Sequence, residues 1–299
     1  MHLPLIPLGD AGLSPGRLLR TVDAAREHGF AAVCANDHFL FRTPWLDGPT
    51  ALAAVAGRAG AMELATTVAL VALRGPVALA KALAALDVLA EGQVLAGVGP
   101  GSSAADHEAV GAEFAARWPA FDAAVIALRA LLEGQPVPGG GRLEPVPGVP
   151  IPVWIGSWGS AAGLRRVARL GDGWLASAYN TTPARFATAH ADLAGHLHAR
   201  ARNPERFPNA LATMWTCVTG DAREADRVLG DVLAPLLRRD PAELRDQLCV
   251  GPPERCAELL SRYAAAGCRR VLFWPVGDEP RQIELLATRV LPAVQPSVP

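Results

Sequence analysis

The dipeptide Asp37-His38 is the first place in the sequence where residue type and position together suggest chemistry. It follows a short apolar run at residues 30–35, which begins directly after Gly29 and is typical of a strand. An imidazole titrates near neutral pH, so a histidine at the end of a strand can exchange a proton with a bound substrate. The alternative is a surface loop in which the histidine has no chemical role and the aspartate caps a helix. The two residues alone leave both interpretations open.

Two turns rich in glycine and serine follow later apolar runs and suggest a ligand that carries a phosphate. The turn at residues 97–103 leads from an apolar run to a helical pattern, and its glycines would let the backbone come close to a ligand. The turn at residues 156–160 has the same setting, in which free backbone N–H groups and the helix dipole attract an anion. In each case the alternative is an ordinary tight turn followed by a serine-capped helix.

The elements that would position these segments are short apolar runs separated by longer amphipathic stretches. Such runs indicate a parallel sheet that helices cover on both faces. The eight predicted strands are residues 3–8, 30–35, 64–73, 94–98, 153–155, 174–176, 211–218 and 270–274. Eight strands and about 250 residues plus insertions match a (β/α)8 barrel. The sequence therefore predicts an α/β fold, a single TIM-like (β/α)8 barrel with insertions that forms one domain over residues 1–299.

A barrel would bring the chemical segments together, because the active sites of such barrels lie at the carboxyl ends of the strands. Asp37-His38 and both glycine-rich turns follow predicted strands. The competing fold is an open doubly wound sheet, which usually carries the pattern G-x-G-x-x-G after its first strand. Residues 8–12 read Leu-Gly-Asp-Ala-Gly and do not fit that pattern.

The composition argues against several classes of function. With 28 basic and 29 acidic residues the formal net charge is −1, which gives no reason to expect a nucleic acid as partner. The five cysteines form no C-x-x-C pair, which argues against a zinc site or a disulfide framework and favours a cytoplasmic location. No apolar stretch is long enough to span a bilayer, so no membrane association is expected. His196 and His198 face different sides of a predicted helix, and no metal site is predicted.

Taken in series, several short motifs make the sequence resemble the bacterial luciferase-like family of flavin- and F420-dependent oxidoreductases. Each motif is common by itself, but their order and spacing over most of the chain are typical of this family. The matching segments are Glu27-His28-Gly29-Phe30, Asp37-His38-Phe39, Arg74-Gly75-Pro76, Gly97-Val98-Gly99-Pro100-Gly101, Pro152-Val153-Trp154-Ile155-Gly156, Gly171-Asp172-Gly173-Trp174 and Val250-Gly251-Pro252-Pro253-Glu254.

The resemblance implies a cofactor, F420 or FMN with F420 favoured, whose ring lies at the carboxyl ends of the strands. It implies that His38 lies near the ring as proton donor or acceptor, and we predict His38 and Asp37 as the catalytic residues. A cis peptide bond between Thr67 and Val68 is also implied. The residues predicted to bind the cofactor are Thr66, Thr67, Val68, Gly99, Pro100, Gly101, Ser102, Ser103, Gly156, Ser157, Trp158, Gly159 and Ser160.

The predicted function is hydride transfer or monooxygenation of a small organic substrate by an enzyme that the resemblance implies to be a homodimer. Ser102 stands where the deazaflavin-dependent sugar-phosphate dehydrogenases of the family carry a glutamate, which argues against a sugar phosphate as substrate. Two alternatives remain. One is a non-redox lyase or hydrolase that uses Asp37 and His38 as an acid–base pair, and the other is a protein that binds a flavin without turnover.

Overall fold

The strands follow one another around the sheet in nearly the order of the chain. The computed structural model describes residues 1–8, 12–137 and 139–295. Within these residues eight parallel strands form one curled sheet in the order β1 to β7, and β8 pairs with β6. The strands are β1 (Ala32–Ala35), β2 (Glu63–Ala69), β3 (Val94–Val98), β4 (Val153–Gly156), β5 (Gly173–Ser177), β6 (Asn209–Val218), β7 (Cys249–Gly251) and β8 (Val271–Pro275).

Helices connect the strands and pack against the sheet and one another. The α-helices are α1 (Pro15–Glu27), α2 (Gly48–Ala59), α3 (Val71–Arg74), α4 (Pro76–Leu89), α5 (Ala104–Ala109), α6 (Arg117–Leu132), α7 (Ala161–Leu170), α8 (Pro183–His198), α9 (Ala222–Arg227), α10 (Ala234–Leu237), α11 (Pro241–Gln247), α12 (Pro253–Ala265) and α13 (Glu279–Leu285). Shorter 3-10 helices cover Ala178–Asn180, Pro204–Arg206 and Leu291–Ala293, and π-helices cover Val228–Leu233 and Leu286–Val290. Several α-helices begin at a side-chain cap, as Ser14 does for α1 and Ser160 for α7.

The prediction of a strand at residues 3–8 is wrong, because the described part of this segment has only isolated bridge positions, at His2 and Leu8, and no regular strand. His2 forms an isolated bridge with Cys34, and the N–H of Leu3 donates to the Cys34 carbonyl over 2.8 Å. The N–H of His2 donates to the carbonyl of Phe273 in β8 over 2.7 Å. Pro4 and Pro7 have no N–H group to continue a ladder, so the segment lies between β1 and β8 without forming a regular strand.

Strand β6 has three neighbours, since its backbone turns at Thr213. It pairs with β5 before the turn, with β8 on both sides of the turn, and with β7 beyond it. Thr213 has a φ of 55°, which is rare for a β-branched residue, and the register with β8 shifts between Leu211 and Met214. Strand β7 was not predicted, because Gly251, Pro252 and Pro253 directly follow Val250 and are typical of a loop.

The inside of the curled sheet is filled by strand residues alone. Cys34 belongs to this inner cluster and is fully buried, as expected of a core residue. The other members are Ala65, Leu95, Trp154, Leu175, Ala210, Ala212 and Leu272. This cluster is the floor below the carboxyl ends of the strands.

All five cysteines are free thiols, in agreement with a sequence that offers no disulfide framework. Among the residues that the structure describes, no helix is both long and apolar enough to cross a membrane.

Candidate active site

A cavity of about 400 Å³ opens at the carboxyl ends of β1 to β5 and beside the turn in β6. Twelve of the predicted site residues line this cavity, namely Asp37, His38, Thr67, Val68, Gly99, Pro100, Gly101, Ser102, Gly156, Ser157, Trp158 and Ser160. Thr66, Ser103 and Gly159 do not line it. The segments that the sequence singled out therefore meet around one cavity.

Asp37 lines the cavity, but its carboxylate is fully engaged by other groups. Arg74 donates to both of its oxygens, from Nε over 2.6 Å and from Nη2 over 2.5 Å, and the N–H of Leu70 donates over 3.1 Å. Arg74 also binds Asp47, the cap of α2. Burial alone would lower the pKa of Arg74, but the bonds to these two carboxylates raise it above its ordinary value. This geometry differs from the predicted acid–base pair of Asp37 with His38, because Asp37 fixes the loop rather than the imidazole.

The carboxylate that contacts His38 is Asp106, at the beginning of α5. Its Oδ2 lies 2.7 Å from His38 Nδ1, and its Oδ1 accepts the N–H groups of Phe39 over 2.9 Å and Leu40 over 2.7 Å. A carboxylate can only accept, so Nδ1 carries the hydrogen and Nε2 is the nitrogen that is left to exchange a proton. Burial by itself would raise the pKa of Asp106. The hydrogen bonds from His38, Leu40 and Phe39 have the larger combined effect and lower this pKa below its ordinary value.

Asp106 was not singled out from the sequence, because its local pattern has a simpler explanation. Ser103 caps α5 by accepting the N–H of Asp106, so an aspartate three residues after a serine is typical of any helix start. The contact with His38 joins residues 68 positions apart in the chain. No spacing in the sequence could have shown it.

Aromatic side chains form the wall of the site beside His38, on a different side from Asp106. The imidazole lies 4.8 Å from the ring of Phe41 and 4.7 Å from that of Trp45, between ring centroids. Trp45 contacts Trp274, which stacks on Trp215 at 4.2 Å. Arg42 lies over the ring of Phe41, 5.1 Å from its centroid. The imidazole of His38 itself contacts the two aromatic rings and the carboxylate of Asp106.

Val68 bulges from β2 into the cavity, and glycines on the neighbouring strands make room for it. The register between β2 and β3 shifts between Thr66 and Ala69, and the Thr67–Val68 peptide is cis, as the resemblance implied. A Cβ added at Gly99 would lie 2.5 Å from Val68 Cγ2, and one at Gly156 would lie 3.0 Å from Cγ1. The bulge and the two glycines thus pack together and form one part of the cavity wall. Thr66 faces away, and its hydroxyl donates to the Gly97 carbonyl over 2.7 Å.

The opposite side of the cavity is polar and cationic. Ser157 and Ser160 lie at the beginning of α7, where Ser160 accepts the N–H of Gly163 over 3.2 Å. Arg117 and Arg166 also line the cavity. Hydroxyls, cations and a helix N-terminus are the groups that bind a phosphate in proteins.

Asp122 on α6 pairs with arginines of α7 and not with Arg117 at the beginning of its own helix. Asp122 accepts hydrogen bonds from Arg166 over 2.5 Å and from Arg169, both on α7. Arg117 instead lies over the ring of Phe114 at 3.9 Å. The guanidinium of Arg117 therefore remains without an acidic partner beside the cavity, among the residues described.

No group of three or more His, Cys, Asp or Glu side chains in the described ranges could hold a metal ion. The wall around Val68, the free Nε2 of His38 and the cationic end are compatible with a planar ring that carries a phosphate. Such a ring and phosphate are found in flavins and deazaflavins.

Residues 6–270 match the model of the luciferase-like monooxygenase family, and the chain belongs to that family. It is similar to an F420-dependent hydroxymycolic acid dehydrogenase of Mycobacterium tuberculosis, with 25% identity over 93% of this chain and 84% of the relative. It is also similar to an F420-dependent glucose-6-phosphate dehydrogenase of Nakamurella multipartita, with 26% identity over 94% of this chain and 93% of the relative.

Solved structures share the fold. An F420-dependent secondary alcohol dehydrogenase in complex with an F420–acetone adduct superposes with a TM-score of 0.81 at 18% identity, covering 95% of this chain and 96% of the other. The oxygenating constituent of 3,6-diketocamphane monooxygenase from Pseudomonas putida, in complex with FMN, superposes with a TM-score of 0.76 at 16% identity and covers 100% of both chains.

Proposed function

We propose that this member of the luciferase-like family is an F420- or FMN-dependent oxidoreductase, with F420 favoured, that acts on a small organic substrate at His38. The observation that carries the proposal is the contact of His38 with Asp106 beside a cavity that also holds Arg117, Arg166 and two serine hydroxyls. The histidine suits proton exchange with a substrate oxygen, and the cationic end suits a cofactor phosphate.

Different residues would hold the two parts of the cofactor. Val68, Gly99 and Gly156 would lie against the ring, and Ser157 and Ser160, with the nearby arginines, would bind the phosphate. When bound, F420 supplies hydride transfer, and FMN supplies hydride transfer or oxygen activation. Two F420-dependent relatives at 25% and 26% identity support F420.

His38 would move the substrate proton. When an alcohol is oxidised its hydroxyl proton must leave the oxygen, and Nε2 of His38 would accept it. When a carbonyl is reduced the same nitrogen would donate. Asp106 would keep the hydrogen on Nδ1 during both alcohol oxidation and carbonyl reduction, so that one tautomer of His38 is present before the substrate binds.

The substrate would be a small neutral alcohol or carbonyl compound. Phe41 and Trp45 offer an apolar surface beside the imidazole, and Asp106 places a negative charge next to it. Like charge would repel a phosphate or carboxylate at this point. The solved relative that holds an F420–acetone adduct has a neutral three-carbon substrate of this class.

A cofactor titration tests the proposal. F420 and FMN would each be added to the purified protein while cofactor fluorescence is recorded, and F420 is expected to bind in the micromolar range. If neither cofactor bound at tens of micromolar, the proposal would be wrong.

The variant His38→Ala separates an enzyme from a protein that only stores a flavin. We expect unchanged affinity for the cofactor and a rate lowered by roughly 10²-fold or more, because general acid–base catalysis contributes about that much. A non-redox lyase or hydrolase would instead be active without any cofactor. A flavin-binding protein would show binding in the wild type and no turnover with any acceptor.

We further infer that the curled sheet closes into a (β/α)8 barrel and that residues 1–299 form one domain. The hydrogen bonds of His2 to β8 and of Leu3 to β1 support closure, because they join the two ends of the sheet. We also propose a cytoplasmic homodimer without a nucleic-acid partner, supported by the free thiols, the net charge of −1 and exposed apolar residues on α4.

A further inference from the structure

A second cavity, of about 630 Å³, adjoins the first one beyond the turn that we assign to the phosphate. Trp158, Ser160 and Tyr179 line both cavities, and Gly159, which the first cavity does not reach, lines the second. The remaining walls come from residues Asn180, Thr181, Arg185, Thr188, Ala189, Asp192, Arg239, Glu243 and Gln247. A ligand whose phosphate lies at Ser160 could therefore continue into this space.

The second cavity offers cations and a buried acceptor. Arg239 donates to Asn180 Oδ1 over 2.6 Å, and the guanidinium of Arg185 has no ion-pair or hydrogen-bond partner within the described residues. Gln247 is only 7% exposed, and its Oε1 accepts no hydrogen bond there. A buried amide oxygen without a hydrogen-bond donor is unfavourable, so this atom favours a ligand with an N–H or O–H donor.

Two carboxylates also line the cavity and limit the charge that it can take. Asp192 and Glu243 are exposed, as Arg185 and Arg239 are, so solvent screens all four charges and the free hydrogen-bond donors of the two guanidiniums matter more than their net charge. With two arginines against two acids, the cavity suits a ligand with one or two carboxylates and amide N–H groups. It does not suit a long polyanion.

The two candidate cofactors differ at this position. FMN ends at its phosphate, whereas F420 continues through a lactyl group into glutamates joined by amide bonds, which supply carboxylates and N–H donors. We propose that the second cavity binds the first glutamates of the F420 tail and so selects F420 over FMN. This inference rests on the proposed function, because it assumes that the ring and phosphate occupy the first cavity.

The test is a comparison of three ligands by fluorescence titration: F420 with two glutamates, the same cofactor truncated at the phospholactate, and FMN. We expect the glutamylated form to bind at least tenfold more tightly than the truncated form. Equal affinities for the two deazaflavins would overturn the inference while leaving the proposed function intact. Failure of all three ligands to bind would reject the proposed function and the inference together.

Two variants test whether the second cavity causes the difference in affinity between the glutamylated and the truncated cofactor. Arg239→Ala and Gln247→Leu should each weaken the glutamylated form by about threefold to tenfold and leave the truncated form unchanged. Arg245→Ala is the matched control, since this arginine pairs with Asp226 on the surface and lines neither cavity. An equal loss for both deazaflavins in the Arg239 and Gln247 variants would contradict the inference, because it would indicate damage to the ring or phosphate site.

Discussion

At the scale of single residues, the proposed chemistry depends on the carboxylate that contacts His38. Asp106 accepts three hydrogen bonds and contacts the imidazole at Nδ1. The variant Asp106→Asn should lower kcat by roughly 10²-fold, because an amide can present its N–H to the ring and favour the wrong tautomer. Cofactor affinity should stay unchanged in the titration. As a control, Asp226→Asn in an exposed ion pair should leave kcat as it is, and an equal loss there would contradict the assignment.

The lowered pKa of Asp106 also predicts that the stability of the protein depends on pH. The folded state lowers the pKa of Asp106, so its stabilising contribution is complete above the unfolded value of about 3.9 and is lost as pH falls through the lower folded value. The free energy of unfolding of the wild type should therefore decline more steeply below about pH 4 than that of Asp106→Asn. Urea denaturation at several pH values between 3 and 6 measures this difference. Parallel curves would contradict it.

Gly99 can be tested by adding a single methyl group. In Gly99→Ala the new Cβ would lie 2.5 Å from Val68 Cγ2, so the bulge must shift and cofactor affinity should fall by about tenfold. Val68→Ala in the same chain should restore part of the affinity. The control is Gly57→Ala in α2, where the added Cβ meets nothing within 4 Å. That variant should leave affinity unchanged and stabilise the helix by about 0.5–1 kcal/mol.

At the scale of elements, the loop after β1 is fixed by ion pairs of Arg74 that connect β1, α2 and α3. Arg74 binds Asp37 and Asp47, and the side chain of Asp37 is 1% exposed. Removing one partner of a buried ion pair leaves an uncompensated charge, so Arg74→Met should lower the free energy of unfolding by about 3–5 kcal/mol. The double variant with Asp37→Asn should recover part of this loss in urea denaturation. Additive losses would show that the two side chains are not coupled.

The elements also show what the sequence could predict. Seven strands and the cis peptide at Thr67 were predicted, because apolar runs and the family resemblance carry that information locally. Strand β7 was missed because Gly251 and two prolines follow Val250 and are typical of a loop. The strand predicted at residues 3–8 does not form, because Pro4 and Pro7 lack the N–H groups that a ladder needs. Asp106 and the ion pairs of Asp122 connect distant elements, so only the packed fold brings them together.

At the scale of the whole molecule, the outer surface is apolar at α4 and the neighbouring α6. Val88 and Leu89 on α4 are 63% and 53% exposed, and Ile126 on α6 is 55% exposed. Large exposed apolar residues on adjacent helices mark an interface between proteins. The double variant Val88→Glu with Leu89→Glu should therefore shift the mass measured by light scattering from a dimer to a monomer. A wild-type monomer at tens of micromolar would contradict the predicted dimer.

Trp158 gives the molecule an optical signal at the wall between its two cavities. It is 57% exposed and Trp118 is 40% exposed, whereas Trp174, Trp215 and Trp274 are buried, so iodide should quench the emission of Trp158 and Trp118. In a Trp118→Phe background the quenching would report on Trp158. A ligand in either cavity would shield that indole, and a tail that enters the second cavity should shield it more than a ring and phosphate alone. Adding Trp158→Phe to this background should remove most of the iodide-sensitive emission and keep that of the buried tryptophans.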